Sequence, residues 1–350
     1  MWKPYNLDLF LDITTACNAS CPMCVRTNVN TNKKEDWLPI IEWTLEDFTK
    51  AFPKNVAENV KQWQICGSYG DPMMNKDIVD IVKYCRENSS GNIRINTNGS
   101  LRTEDVWWDL GVAGGKKLTV EFGVEGINQK MQERYRQKTF LKKILNNMNT
   151  LSQTRAFVET QTIVFKHNQK YLNDIEEMCV KHGSIRHRNV YTDRFINRSI
   201  YSPNRFDFID SKGNKNFLER AETKQKLRSK IIKQKKDGME TETIRRNDDV
   251  NSVVKKNITC EWESMNKIVI NPDGNVIPCC YFAPTMLPPH PPWGNKLLNL
   301  DIIQKHGKEE HNVFNKNLLD ILKDSVWFNK ELPESWQKNP THICKRYCGY

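Results

Sequence analysis

Eleven cysteines stand in a chain of 350 residues, and seven of them fall into two spaced sets. The first is Cys17-Asn18-Ala19-Ser20-Cys21-Pro22-Met23-Cys24, a Cys-x3-Cys-x2-Cys spacing in a polar, loop-like stretch. Three thiolates so spaced can hold three corners of an iron–sulfur cube and leave the fourth iron open to a ligand. A structural zinc knuckle is the alternative, but a closed zinc site wants four ligands, and no fourth Cys or His lies nearby. The second set runs Cys260, Gly274, Cys279 and then Cys344-x3-Cys348. Its glycine sits in Pro272-Asp273-Gly274-Asn275, a turn able to bring the flanking cysteines together. Four thiolates can close around a second cluster or around one zinc. Cys280 is a rival to Cys279, since adjacent cysteines do not easily serve one cube together; the Gly-x4-Cys spacing favours Cys279.

Such sets need a scaffold, and the first two hundred residues supply a regular one. Short apolar runs predict strands at Leu7–Ile13, Gln62–Cys66, Asn92–Asn96, Leu118–Gly123, Phe157–Phe165 and His187–Thr192. Amphipathic stretches between them predict helices at Leu45–Ala51, Lys76–Glu87, Thr103–Gly111, Phe140–Ser152 and Tyr171–His182, with Thr44 and Asn75 as caps for the first two. Strand alternating with helix implies parallel strands joined by right-handed crossovers. Six such units predict an α/β fold built on a partial (β/α)6 TIM-type barrel. The first cysteine set then follows strand one, at the end of the barrel where such folds carry their chemistry. The expected division is a barrel over 1–204, a basic, partly helical insertion or linker over 205–256, and a small cysteine-rich domain of β-hairpin plus helix over 257–350. Within these, a helix is expected over Phe217–Lys236, a hairpin at Lys267–Asn271 and Val276-Ile277, a Pro-rich loop over Pro284–Pro292 and a helix near Leu318–Lys323.

With its cysteines placed after strand one of such a barrel, the chain resembles the radical S-adenosylmethionine (SAM) enzymes. The resemblance covers nearly the whole chain apart from 205–256. It implies that Cys17, Cys21 and Cys24 hold a catalytic [4Fe-4S] cluster whose open iron chelates S-adenosylmethionine. One electron would then cleave the sulfonium, giving methionine and a 5′-deoxyadenosyl radical that abstracts a substrate hydrogen. Cys66-Gly67-Ser68-Tyr69-Gly70-Asp71-Pro72, after strand two, resembles the family's Gly-Gly-Glu-Pro loop around the cofactor's amino end, although Ser68 to Asp71 depart from the usual residues. Glycines there are expected to admit a ligand close to the backbone. Asn96-Thr97-Asn98-Gly99 and Glu121-Phe122-Gly123-Val124-Glu125-Gly126 resemble further cofactor-lining runs, the second with Gly123 where relatives have serine. Arg136 falls where relatives place an arginine near the cofactor carboxylate, and Val164 where they stack an apolar residue on adenine; a solvated helix arginine and core packing are the respective alternatives. The second cysteine set resembles the SPASM/twitch C-terminal domain in its shorter twitch form, implying an auxiliary [4Fe-4S] cluster on Cys260, Cys279, Cys344 and Cys348.

The resemblance further implies an external one-electron reductant such as flavodoxin or ferredoxin. It also implies a substrate: a peptide or protein side chain first, a small molecule to be dehydrogenated second. The first strand is expected by about Leu7, so no leader-gripping domain of the kind found in peptide-modifying relatives is expected before it.

Composition narrows the remaining classes. With 27% charged residues, a mean hydropathy of −0.69 and no run of about 18 apolar residues, a membrane-embedded chain is excluded. Met1-Trp2-Lys3-Pro4 and the following Tyr5-Asn6-Leu7-Asp8 lack an apolar signal core, so a reducing cytoplasm is expected, where clustered cysteines mean metal or redox chemistry. The net charge of +11 comes largely from 205–256, which holds fifteen basic against nine acidic residues. Blocks of this kind are usually solvated. With stacking aromatics confined to one end, at Phe206, Phe208 and Phe217, nucleic acid ranks last among the partners. Cys66, Cys85 and Cys179 are expected to pack in the core.

Overall fold

The structure is a computed structural model that describes residues 2–192, 194–195, 204–222, 258–282, 305–306 and 309–348. The elements follow in the order β1 (Leu7–Leu11), α1 (Leu45–Ala51), α2 (Lys54–Ala57), β2 (Val60–Ile65), α3 (Ile78–Asn88), β3 (Asn92–Thr97), α4 (Glu104–Gly114), β4 (Leu118–Gly123), α5 (Gln129–Glu133), α6 (Leu141–Ser152), β5 (Phe157–Val164), α7 (Leu172–Lys181) and β6 (Ser184–Tyr191). These six strands pair in parallel in chain order, the pattern of a partial TIM-type barrel.

Alternation along the strands separates two faces. Leu7, Leu9 and Leu11 of β1, Ile93 and Ile95 of β3, and Val120 and Phe122 of β4 are buried against the helices. Each such side chain contributes about 1.5–3 kcal/mol by leaving water. The helices answer in register: Ile144, Met148 and Leu151 of α6 and Ile78, Ile81, Val82 and Cys85 of α3 form their buried stripes. The opposite strand face is polar, with Asp8, Gln64, Arg94, Asn96, Glu121, Glu159 and Gln161 turned into the barrel. A parallel sheet buried on both faces reads as continuous apolar runs. Alternation here marks an interior that is not a packed core.

Thr44 caps α1 as expected, in a reciprocal capping box with Asp47. Asn75 is not the cap of α3; Asp77 holds that position. Fully buried Asn75 instead donates to the Trp43 carbonyl at 2.7 Å and accepts from the Asp77 N–H at 2.9 Å, tying two loops together.

Beyond the barrel the expectation for 205–256 is corrected where the chain is described. Residues Arg205–Ile209 (β7) and Lys215–Glu219 (β8) form an antiparallel hairpin, so Phe217 lies in a strand and not in a helix. The turn closes through Asp210 N–H to Asn214 at 2.9 Å, with Gly213 at φ +84°, a conformation that favours glycine. The rest of the helix expected over 217–236, from residue 223 onward, lies outside the described residues, as does the Pro-rich loop at 284–292.

The C-terminal hairpin, β9 (Lys267–Ile270) with β10 (Val276–Ile277), is continuous with the barrel. Strand β9 pairs in parallel with β1, so the sheet has eight strands in the order β10-β9-β1-β2-β3-β4-β5-β6. Gly274 turns this hairpin at φ +83°; a Cβ there would sit 2.5 Å from the Phe314 ring. Aromatic residues carry the rest of the join: Trp43 donates to the Pro272 carbonyl at 2.6 Å and packs 4.8 Å from Phe314, and Trp2 donates to the Lys267 carbonyl at 2.8 Å. Among the described residues no helix is long and apolar enough to cross a membrane.

Candidate functional site

The loop that leaves β1 carries Cys17, Cys21 and Cys24, all free thiols, as are the other eight. It is shaped by its own backbone, with the Cys24 N–H donating to Cys21 at 3.0 Å and the Arg26 guanidinium to the Ala19 carbonyl at 3.2 Å. Two N–H donors face Cys17 Sγ: the Ala19 amide at 3.4 Å and Asn98 Nδ2 at 3.9 Å. Burial pushes the Cys17 thiol well up and Cys21 up to about 12, while Arg26 beside Cys17, and Arg136 and Arg194 beside Cys21, favour the thiolates. A set of thiols ringed by N–H donors and guanidinia fits an iron–sulfur cluster, whose ligands must be deprotonated.

The loop after β2 closes against this one. The Gly70 Cα faces the first loop, where a Cβ would come within 2.3 Å of the Thr14 carbonyl oxygen and 2.7 Å of that of Ala16. A Cβ on Gly67 would meet the Gly70 oxygen at 2.4 Å. Both glycines therefore admit the protein's own backbone, where a ligand had been expected. Tyr69 is buried with Leu38, and Ser68 donates its N–H to Asp12 at 2.9 Å. Asp71, also buried, accepts from Thr97 Oγ1 at 2.8 Å and from the Asn98 N–H at 2.7 Å; Asn98 Nδ2 reaches Asn18 at 2.8 Å. Burial raises the Asp71 carboxyl above its usual range, against these hydrogen bonds. Its place is to hold Asn98 toward Cys17.

Asp12, at the end of β1, was not singled out from sequence. Burial pushes its carboxyl up to about 7, against the Ser68 and Tyr69 hydrogen bonds. A carboxyl raised on folding binds its proton more tightly in the folded state. Its stabilising contribution is therefore full below the unfolded value near 4 and is lost as pH rises through about 7. Asp12→Asn should flatten that dependence: between about pH 4 and about pH 8, wild-type stability should fall relative to the variant by up to about 4 kcal/mol. Urea unfolding of both chains at the two pH values measures it, and parallel curves would refute it.

Two residues follow from the end of β4. Glu125, fully buried, pairs with Arg136 Nε at 2.9 Å. Gly123 is what lets the guanidinium in, since a Cβ there would lie 2.2 Å from Arg136 Nη2. The missing serine thus has a physical reason. Two buried acceptors, Glu125 Oε1 and Asn96 Oδ1, have no hydrogen-bond partner, and a cofactor bearing N–H or O–H donors would satisfy them. Val164 does not line the site. It lies on the opposite face of β5 from Glu159 and Gln161; Ile163 shares their face and packs against the same apolar cluster as Cys17 and Cys24.

Inside the barrel, Glu121 and Glu159 are clasped by three arginines. Arg94 reaches both carboxylates at 2.6 Å, Arg188 reaches Glu121 at 2.6 Å and Arg186 reaches Glu159 at 2.6 Å. Asn96 also donates to Glu121 at 2.7 Å. The Arg186 and Arg188 side chains remain about half exposed, at 55% and 50%, leaving donors open to a ligand. Sequence reasoning found Glu121 and Asn96 but missed the arginines and Glu159; a charge at every second position of adjacent strands was the available signal.

In the C-terminal set, Cys260 caps the short helix Glu261–Ser264, and its sulfur accepts the Glu263 N–H at 3.4 Å. Cys344 lies close enough to both Cys260 and Cys279 to act on their thiols, and Cys348 follows one turn later in the helix His342–Cys348. Cys280 lies within electrostatic reach of Lys267, Cys66 and Tyr69 as well as of Cys279. Cys66, Cys85 and Cys179 are all buried as expected, Cys85 and Cys179 in the main core and Cys66 near Asp12, Lys267 and Asp8. Among the described residues no three Cys, His, Asp or Glu side chains converge on a point that would hold a single metal ion.

A family model described as the Radical SAM superfamily matches residues 11–179. Among curated proteins, the GTP 3',8-cyclase of Campylobacter jejuni subsp. doylei is 26% identical over 281 residues, 78% of this chain and 80% of that protein. The probable GTP 3',8-cyclase of Methanocaldococcus jannaschii is 23% identical over 178 residues, 51% of this chain and 56% of that protein. Among solved structures, Streptococcus suis SuiB bound to S-adenosylmethionine superposes with a TM-score of 0.55 at 13% identity, over 96% of this chain and 68% of that one. The protein anSMEcpe with bound AdoMet gives 0.52 at 13%, over 91% and 81%. At these identities the two structures attest the fold alone.

Proposed function

This chain is a member of the radical SAM superfamily, with that domain over residues 11–179, and we propose that it uses S-adenosylmethionine to take one hydrogen from a small, polar, anionic substrate held inside the barrel. When bound, a [4Fe-4S] cluster and S-adenosylmethionine supply the electron and the 5′-deoxyadenosyl group for that abstraction. The chain's residues do the positioning. Cys17, Cys21 and Cys24 hold the cluster; Asp71, through Asn98, orients a donor toward Cys17. Asn96 and Glu125 offer the cofactor their free acceptor atoms, and Arg136 sets the Glu125 carboxylate. A reductant such as flavodoxin or ferredoxin supplies the electron from outside.

The observation that carries the substrate class is the group of three guanidinium ions against two carboxylates in the barrel, with two of the cations half open. Arginine suits carboxylate and phosphate groups through paired N–H donors. The similarity to GTP 3',8-cyclases, proteins named for a nucleotide substrate, supports a small anionic molecule. Peptide or protein modification, the first choice from sequence, is the second reading here. It draws on the likeness to SuiB, which has been solved with precursor peptide SuiA, and to anSMEcpe, solved with a peptide. Cys260, Cys279, Cys344 and Cys348 are proposed to hold an auxiliary [4Fe-4S] cluster beside the barrel.

The test is anaerobic. Protein reconstituted with iron and sulfide is reduced and given S-adenosylmethionine, and 5′-deoxyadenosine is counted with and without nucleoside triphosphates, sugar phosphates and peptides. Formation without any substrate establishes the cleavage. Deuterium passing from one labelled candidate into 5′-deoxyadenosine identifies the substrate, and transfer from peptides alone would overturn the small-anion assignment. Arg186→Leu and Arg188→Leu should each lower substrate-dependent turnover about 10- to 100-fold, the loss of a charged hydrogen bond. Substrate-free cleavage should stay within about twofold of wild type, since neither arginine touches the cysteine loop.

A further inference from the structure

The hairpin of β7 and β8 lies outside the barrel sheet, and the family domain ends before it. Its apolar side chains do not join the main core. Phe206, Phe208 and Leu218 are buried in a separate cluster with Ala19, Cys21, Met23, Tyr135, Phe165 and Phe195, and the partly buried members beside them include Cys17 and Cys24. All three thiols of the first loop therefore stand in or beside the apolar layer that this hairpin covers. Phe206 and Phe208 alternate with Arg205 and Asp207, so one face of β7 lies on the loop and the other meets water.

Backbone and amide hydrogen bonds fix that placement at three points. The Ile209 N–H donates to the Val29 carbonyl at 2.8 Å, just past the third thiol. The Ser211 N–H donates to Gln137 Oε1 at 2.8 Å. Phe165, at the end of β5, bridges to Arg220, and the Lys166 N–H reaches the Glu219 carbonyl at 3.1 Å. Gln137 is a hub: its carbonyl accepts the Ser20 N–H at 3.2 Å, and its side-chain oxygen accepts Asn32 Nδ2 at 2.9 Å as well as Ser211. Ser20 lies between Cys17 and Cys21, so the hairpin and the thiol loop hang on one residue, through its carbonyl and its side chain.

We propose that the β7–β8 hairpin is a cap over the outer side of the cysteine loop, holding its thiols in place for the cluster and keeping water and oxidants from them. This rests on the loop holding a cluster as proposed above. A cluster's potential and its lifetime both depend on exposure to solvent. Phe206 and Phe208 are positioning residues: they act through Ala19, Cys21 and Met23 and touch no reacting atom.

The test uses the full chain without a cluster, then with one. Thiol alkylation followed residue by residue reports loop opening in the cluster-free protein. In Phe206→Ser/Phe208→Ser, modification of Cys21 should quicken about tenfold or more while Cys85, in the main core, keeps its wild-type rate. After reconstitution, iron should pass to a ferrous chelator faster by a similar factor. Uniform quickening at Cys21 and Cys85 would mean general unfolding and would overturn the cap, as would a Cys21 rate within about twofold of wild type. Should the double variant not fold, Gln137→Leu cuts the side-chain tie from the hairpin's Ser211 to Asn32 of the thiol loop and leaves the apolar face whole. It should quicken Cys21 in the same direction, and an unchanged rate would again overturn the cap. A wild type that takes up no iron and cleaves no S-adenosylmethionine would refute the proposed function, whereas the alkylation comparison would still decide whether the hairpin covers the loop.

Discussion

Cys17→Ala, Cys21→Ala and Cys24→Ala should each abolish reductive cleavage of S-adenosylmethionine, a loss well beyond the about 10- to 100-fold that follows removal of an outer-sphere partner of a metal site. No neighbouring thiol can stand in. Cys85 and Cys179 lie on the core-facing sides of α3 and α7, and Cys66 turns to the side of the barrel that holds Asp8, Asp12 and Lys267. Iron and sulfide content and 5′-deoxyadenosine formation, measured on the same preparations, decide the matter. Persistent cleavage in any of the three variants would remove the assignment. The paired variant Cys344→Ala/Cys348→Ala separates the two cysteine sets: cleavage should persist, iron should fall by about half, from two cubes to one, and product should be lost. Full iron content there would dismiss the auxiliary cluster.

The second large effect concerns stability. Arg136→Leu should cost about 3–5 kcal/mol, because it leaves the Glu125 carboxylate buried without its partner. Most surface arginines contribute far less. Gly123→Ser should reproduce much of that loss by a different route, since its side chain would occupy the space of the Arg136 guanidinium. Glu125→Gln/Arg136→Met, which removes both charges, should recover part of the stability while losing the cofactor site. Denaturant unfolding of the cluster-free chains measures all three, and a loss under about 1 kcal/mol in Arg136→Leu would show that water or another group satisfies Glu125.

How far these sites could be read without coordinates varied with the kind of signal. Cysteine spacing is local, and the strand before it is apolar, so the first loop and its place at the end of β1 were readable directly. Six strands and five crossover helices were readable for the same reason, each carrying its own period. Faces were harder. Placing Val164 rather than Ile163 at the site is a slip of one residue, which in a strand turns the side chain to the other side. The role of Gly70 was misjudged because close approach was expected from a ligand and comes from Thr14 and Ala16. Asn75 looked like a cap but serves Trp43, a contact across 32 positions that local pattern does not encode. The β7–β8 hairpin was hidden by charge: Lys212, Lys215 and Arg220 dominated a segment whose alternation of Phe206, Phe208 and Leu218 gave the strand period plainly.

The pairing of β1 with β9 ties the two ends of the chain to each other in time as well as space. Trp2 and Lys267 are bonded at a separation of 265 positions. At roughly 5–20 residues per second of synthesis, β1 waits on the order of 13 to 50 s for its second neighbour to leave the ribosome. Throughout that interval one edge of β1 has unpaired N–H and C=O groups, the condition in which strands recruit foreign partners. Contacts of such long range also slow folding. The thiol loop hangs from the end of this same strand. Until residue 270 has been made, that loop hangs from a strand paired on one side only.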